Sequence, residues 1–194
     1  MTKVQIIKVP TDEDWLAMRN QSLGALRKSS HNTPSPELRS KYLASEHSPM
    51  YNLQYSWRWI DLPYWISVHF VRHNIGINHT VSSQRNDVQK NYDRRKAPQD
   101  ALVNHLCVAN PVSIISVSHS RLCLTASSQT RDAWRLFLKE LGKHDPEIIK
   151  FCVKPCIYRG LCPEVFSGCR YMSSDKFREE REVYKNIFLN NKNE

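Results

Sequence analysis

The sequence predicts an α+β chain, and three observations carry that expectation. Lys3 to Val9 and Tyr51 to Trp59 alternate with the two-residue period of half-buried strands. Residues 128 to 142 gather Trp134, Phe137, Leu138 and Leu141 on one helical side, and 173 to 190 do the same with Phe177, Val183, Tyr184, Ile187 and Phe188. At 194 residues the chain can bury one sizeable core but is short for two.

Each element has its own local signal. Pro10 ends the first strand, and Thr11 with Asp14 three residues later resembles a capping box. Acids in that first turn and Arg27-Lys28 at the far end suit the helix dipole, so a helix is expected over 12 to 28. A polar loop over 29 to 36 leads into a short helix from Pro36 to Ala44. The odd positions Tyr51, Leu53, Tyr55, Trp57 and Trp59 form the buried side of the second strand. Asp61 is the capping candidate and Pro63 the first residue of an apolar helix that ends at Arg72-His73. Asn86 to Ala97 is charged and aperiodic, hence a loop. Pro98 is expected to start a helix on which Leu102, Leu106 and Ala109 keep helical spacing, with Pro111 kinking or breaking it before 112 to 118. Gly142 stops the helix over 128 to 142, and Asp145-Pro146-Glu147 restarts one. Residues 1 to 150 are expected to form the main domain, with 151 to 194 a cysteine-rich segment and final helix packed on it.

Composition narrows the function classes. A hydrophobic fraction of 40%, a charged fraction of 24% and a mean hydropathy of −0.57 describe a soluble globule and exclude an integral membrane protein. The N-terminus opens on a strand rather than a basic segment and an apolar core, so no secretory signal is read and the cytosol is the expected compartment. A net charge of +9 favours anionic partners such as nucleotides. No Lys/Arg block exceeds a triplet, so a nucleic-acid arm is not expected. Six cysteines without a signal peptide point to buried thiols or a metal rather than to disulfides.

The stretch from Pro63 to Arg85 is the centre of the chain. On a helix, Trp65, His69 and Arg72 share one face and His73 lies one turn beyond His69. A rigid apolar element thus delivers donors to an anion. Arg72-His73-Asn74, then seven residues, then Ser82, with Ser83-Gln84-Arg85 behind it, resembles the signature of the flavin-dependent thymidylate synthases, which reads Arg-His-Arg, seven residues, Ser, and shortly an Arg. Either Ser82 or Ser83 fills the serine slot. The resemblance extends over about 46 to 140. Glu46-His47-Ser48-Pro49 looks like the family's Ser/Thr-Pro segment, Arg94 like the arginine four residues before a conserved proline, here Pro98, and Asn110 like a flavin-contacting asparagine. Arg121 resembles the arginine near the start of the last conserved helix, with Gln129 near that helix's glutamine.

The resemblance implies an α+β fold with a mixed sheet and long helices, a homotetramer with shared sites, and synthesis of thymidylate from deoxyuridylate (dUMP). Flavin adenine dinucleotide (FAD) would be the cofactor, with NADPH and methylenetetrahydrofolate as co-substrates. It implies that Arg72, Ser82 or Ser83, Arg85 and Arg94 hold the nucleotide, that Arg121 polarises the base with His69 in a base-facing slot, and that His73, Asn74 and Asn110 contact the flavin. Arginine forks suit a nucleotide dianion independently of any family. Four positions depart from the pattern: Asn74 replaces the second signature arginine, Val112 a flavin-phosphate arginine, Asn52 a histidine, and His79 or Thr80 a glutamate. The alternatives are a related pyrimidine nucleotide hydroxymethylase, or a nucleotide- or nucleic-acid-binding zinc protein without redox function. Outside the resemblance, Cys152, Cys156, Cys162 and Cys169 are expected either to hold a metal, a structural zinc rather than an iron–sulfur cluster, or to remain semi-buried thiols. Cys107 and Cys123 read as core thiols on helices, and His31, His105, His119 and His144 carry no assignment.

Overall fold

The computed structural model of the chain describes residues 1–89, 92–165 and 168–189. Strands β1 (Lys3–Lys8), β2 (Tyr55–Pro63), β3 (Ile77–Val81) and β4 (Leu102–Ala109) form one sheet in the order β1-β2-β4-β3. Every pairing is antiparallel, which corrects the expected mixed sheet. Around it lie α1 (Asp12–Gly24), α2 (Pro36–Ser45), α3 (Tyr64–Val71), α4 (Pro111–Arg121), α5 (Ser128–Leu141), α6 (Pro146–Ile149), α7 (Pro155–Arg159) and α8 (Asp175–Leu189).

The capping box forms at α1: the Asp14 amide donates to Thr11 Oγ1, and the Thr11 amide donates to the Asp14 carboxylate at 2.9 Å. The helix ends four residues short of Lys28, and the chain turns through Arg27 at φ +54. Strand β2 starts at Tyr55 rather than Tyr51, because Ser48–Asn52 winds into a 3-10 turn with a proline near its start. Tyr51 is left exposed, while Tyr55, Trp57 and Trp59 are buried as their alternation predicts. Asp61, at φ +56, sits where the register with β4 slips, inside the strand and not as a helix cap.

Residues 102 to 109 form a strand, not the expected helix. Val103, His105, Cys107 and Ala109 alternate into the core, and this period of two prevails over the helical spacing of Leu102, Leu106 and Ala109 because β4 completes hydrogen bonding to both β2 and β3. Pro111 therefore kinks nothing. It occupies the first turn of α4, with Asn110 as the cap.

Helices α3 and α5 pack on the sheet, and α4 packs in turn on α5. Trp57 stacks on Phe137 at 4.1 Å and Trp59 on Phe70 at 4.6 Å between ring centroids. Two of the buried indoles have satisfied donors, Trp59 Nε1 to the Ala133 carbonyl at 3.1 Å and Trp134 Nε1 to Ser118 Oγ at 2.9 Å, while Trp57 Nε1 has no partner among the described residues. Phe151, Ile157, Tyr171 and Tyr184 belong to the same buried cluster as these rings. Among the described residues, no helix is long and apolar enough to cross a membrane.

Candidate functional site

Helix α3 stops at Val71, and the chain turns through Arg72, His73, Asn74, Ile75 and Gly76 before entering β3. This loop is fastened to the start of α4. The Asn110 amide and Asn110 Nδ2 both donate to the Gly76 carbonyl at 3.2 Å, Ser113 Oγ donates to the Ile75 carbonyl at 2.9 Å, and Asn110 Oδ1 caps the Ser113 amide at 2.8 Å. Gly76 sits at φ +68, and a Cβ there would overlap Ser113 Oγ and Asn110 Nδ2, so glycine is required twice over. Between loop and helix lies a cleft of about 570 Å³ that Arg72, His73, Asn74, Asn110 and Val112 help to line, with Tyr51 on its wall. Its volume falls in the range of small-molecule sites.

A polar network backs the loop. Arg121, on the last turn of α4, donates from Nε to His73 Nε2 and from Nη2 to the His69 carbonyl, both at 2.7 Å. His73 must therefore accept at Nε2 and carry its proton on Nδ1. Burial, with the Arg121 charge second and His79 third, holds its pKa down at about 4. Burial lowers His69 as well, with Arg121 and Arg72 adding to it, and its Nδ1 lies 2.9 Å from the buried Thr130 hydroxyl of α5. Arg121 is itself lowered, by burial first and by Arg72 second.

Strands β3 and β4 extend the network inward. His79 Nε2 lies 2.8 Å from the His73 carbonyl, which can only accept, so that nitrogen carries a proton. His79 Nδ1 is then an acceptor, 2.9 Å from His105 Nε2 and 3.3 Å from Cys107 Sγ. His105 consequently donates from Nε2, and its buried Nδ1 has no partner among the described residues. Burial brings His105 down to about 4, with His79 adding to it, and pushes the Cys107 thiol up, so the inner end of the network is neutral. The donor atoms of His79, His105 and Cys107 lie within 4.8 Å of one another. None of the three is among the site residues expected from the sequence. Their signal was the alternation of His105 and Cys107, legible only once 102 to 109 is read as a strand opposite His79.

The expected site residues thus divide into two groups. Arg72, His73, Asn74 and Asn110 meet at one cleft, with Arg121 and His69 behind it. Asn110 spends its side chain on the α4 cap and the Gly76 carbonyl. Ser82, Ser83, Arg85 and Arg94 are not among the cleft's walls. Ser82 continues the β3–β4 ladder, its Oγ accepting from the Asn104 amide at 2.9 Å. Ser83 Oγ accepts from the Arg85 amide at 3.2 Å, the exposed Arg85 side chain pairs with Asp87, and the Arg94 amide donates to Asn86 Oδ1 at 2.9 Å.

Among the four cysteines expected to act together, Cys152 stands apart: it is buried near Ser118 and Asp145, its thiol raised to about 12 by desolvation. Cys156, Cys162 and Cys169 share a second cavity with Cys123. Cys123 lies in the turn after α4 and Cys107 on β4, so neither is helical.

No protein-family model matches the chain, and no curated protein matches it in sequence. Solved structures do. Thymidylate synthase X from Helicobacter pylori, solved with FAD and dUMP, superposes with a TM-score of 0.58 at 13% identity, covering 79% of this chain and 100% of that one. The antiparallel sheet with its covering helices is therefore the fold of a thymidylate synthase X, reached at a sequence distance where only the fold is shared ground.

Proposed function

We propose that the chain is a flavin-dependent enzyme of the thymidylate synthase kind, acting on dUMP or a closely related pyrimidine nucleotide. The observation that supports this best is the cleft itself. On a fold that in H. pylori was solved with FAD and dUMP, four residues at the family's signature and flavin positions line one cavity, with a half-buried arginine fixed behind them.

The residues present suit a flat, anionic dinucleotide. Arg72 brings an exposed guanidinium, Asn74 an amide, His73 an Nδ1–H, and Tyr51 an exposed ring at the wall. Val112 leaves an apolar patch where the family has an arginine, so the cofactor's phosphates would rest on Asn74 and the His73 Nδ1–H, leaving Arg72 to the phosphate of dUMP. When bound, the flavin supplies the redox chemistry, drawing on NADPH, with methylenetetrahydrofolate as the one-carbon donor.

The chain's own part is positioning. Arg121 holds the His73 ring through Nε2 and the end of α3 through the His69 carbonyl, so it is a positioning residue, with two of its five N–H groups committed. His73, kept neutral, presents a donor without adding a repelling charge beside Arg72 and Arg121. Ser83, Arg85 and Arg94 enter the proposal through the homotetramer, where shared sites would carry them to a neighbouring subunit's cleft.

Arg72→Ala is the direct test, because this exposed side chain holds no element in place. Loss of a charge-assisted pair of about 1.5–3 kcal/mol predicts at least a tenfold rise in the dUMP dissociation constant by calorimetry, with melting temperature unchanged. Unchanged affinity in the variant, or a wild-type chain that retains no FAD through gel filtration, would remove the reading. Product analysis then decides between a methyl and a hydroxymethyl group.

A further inference from the structure

Four of the six cysteines, drawn from separate segments of the chain, line one partly open cavity remote in sequence from the signature loop. Cys123 lies in the turn after α4, Cys156 in α7, and Cys162 and Cys169 in the loop that follows. All are free thiols. Cys152, three residues before α7, takes no part, since it points into the core instead. Tertiary folding therefore replaces Cys152 of the sequential run with Cys123.

We propose that Cys123, Cys156, Cys162 and Cys169 hold an iron–sulfur cluster. The argument from thiols to metal is one of chemistry: four cysteines lining one cavity are, once deprotonated, a soft-ligand set suited to zinc or iron–sulfur. The choice between these rests on size. A single zinc with bonds of about 2.3 Å draws its four sulfurs to about 3.8 Å from one another. The cavity they line is about 220 Å³, far more than one ion needs. A cluster with its own bridging sulfides fills such a space and keeps the cysteines apart.

The surroundings suit a negatively charged centre. Arg170 lines the cavity with Lys154, whose ammonium is already paired with Glu180, while Leu124, Pro155 and Met172 keep its walls apolar. Gly168 approaches the Cys162 sulfur so closely that a Cβ would stand 3.6 Å from it. One group opposes: the Glu164 carboxylate lies 3.8 Å from Cys123 Sγ and accepts from Thr125 Oγ1 at 3.1 Å, so it must swing away when Cys123 becomes a ligand.

The proposal does not rest on the thymidylate synthase reading, and its test is blind to flavin. The full chain, purified anaerobically, is assayed for iron, acid-labile sulfide and zinc, then reduced and examined by electron paramagnetic resonance. Iron and sulfide in equal amounts are expected, with loss of most of both in Cys123→Ser and Cys162→Ser and retention in Cys152→Ser. Cys162 is exposed, so its replacement leaves the core intact. Stoichiometric zinc, absence of metal from the wild-type chain, or iron lost with Cys152 but kept without Cys123 would each overturn the assignment.

Discussion

At the scale of single residues, the balance between burial and charge sets the behaviour of the site. His73 and His105 are both held near 4 by desolvation, well below the ordinary 6.5 of histidine. Between these values the unfolded chain binds protons that the folded chain refuses. Stability from these groups is thus fully present above about pH 6.5 and falls as pH drops towards 4. His105 is the cleaner probe, because it is completely buried and touches no cleft wall. Denaturant midpoints measured from pH 7 to 4.5 should show a shallower acid loss in His105→Gln, by up to about 1.4 kcal/mol per pH unit. Parallel profiles for variant and wild type would mean that His105 takes up its proton inside the fold.

Elements, rather than residues, decide how the cleft is built, and here the sequence was only partly legible. The alternation of Tyr55, Trp57 and Trp59, the Thr11–Asp14 box and the amphipathic 128 to 142 stretch appear as written, because each is a local signal matched by tertiary packing. Residues 102 to 109 satisfied two periods at once, and only pairing to β2 and β3 resolves them, which no local signal encodes. That ambiguity hid Asn110 as a helix cap and His105 and Cys107 as partners of His79. The cap can be tested against the expected flavin contact. Asn110→Ala should cost about 1 to 2 kcal/mol of stability. Asn110→Asp keeps the acceptor for the Ser113 amide and loses only the Nδ2 bond to Gly76, so it should recover most of that loss in chemical denaturation. Equal losses in the two variants would place the energy in the Gly76 contact instead.

The whole molecule poses the question of why the signature splits. Arg72, His73 and Asn74 line the cleft, whereas Ser83, Arg85 and Arg94 lie on the segment beyond β3 and are absent from its walls. The Arg85 guanidinium is exposed and, among the described residues, paired with a neighbouring aspartate, a solvent-screened contact that contributes little to stability and leaves the arginine available to a stronger anion. A shared-site homotetramer accounts for both facts, since each cleft would then take its loop from one subunit and its second arginine set from another. Its mass by light scattering would be four times 22.7 kDa. Complementation reads the sharing itself. At dUMP far below saturation, Arg72→Ala and Arg85→Ala should each lose most activity alone, yet co-expressed chains should assemble some clefts with both arginines intact, restoring about a quarter of wild-type activity if subunits mix at random. If both arginines serve one cleft within the same chain, every site in the mixture lacks one of them and no activity returns.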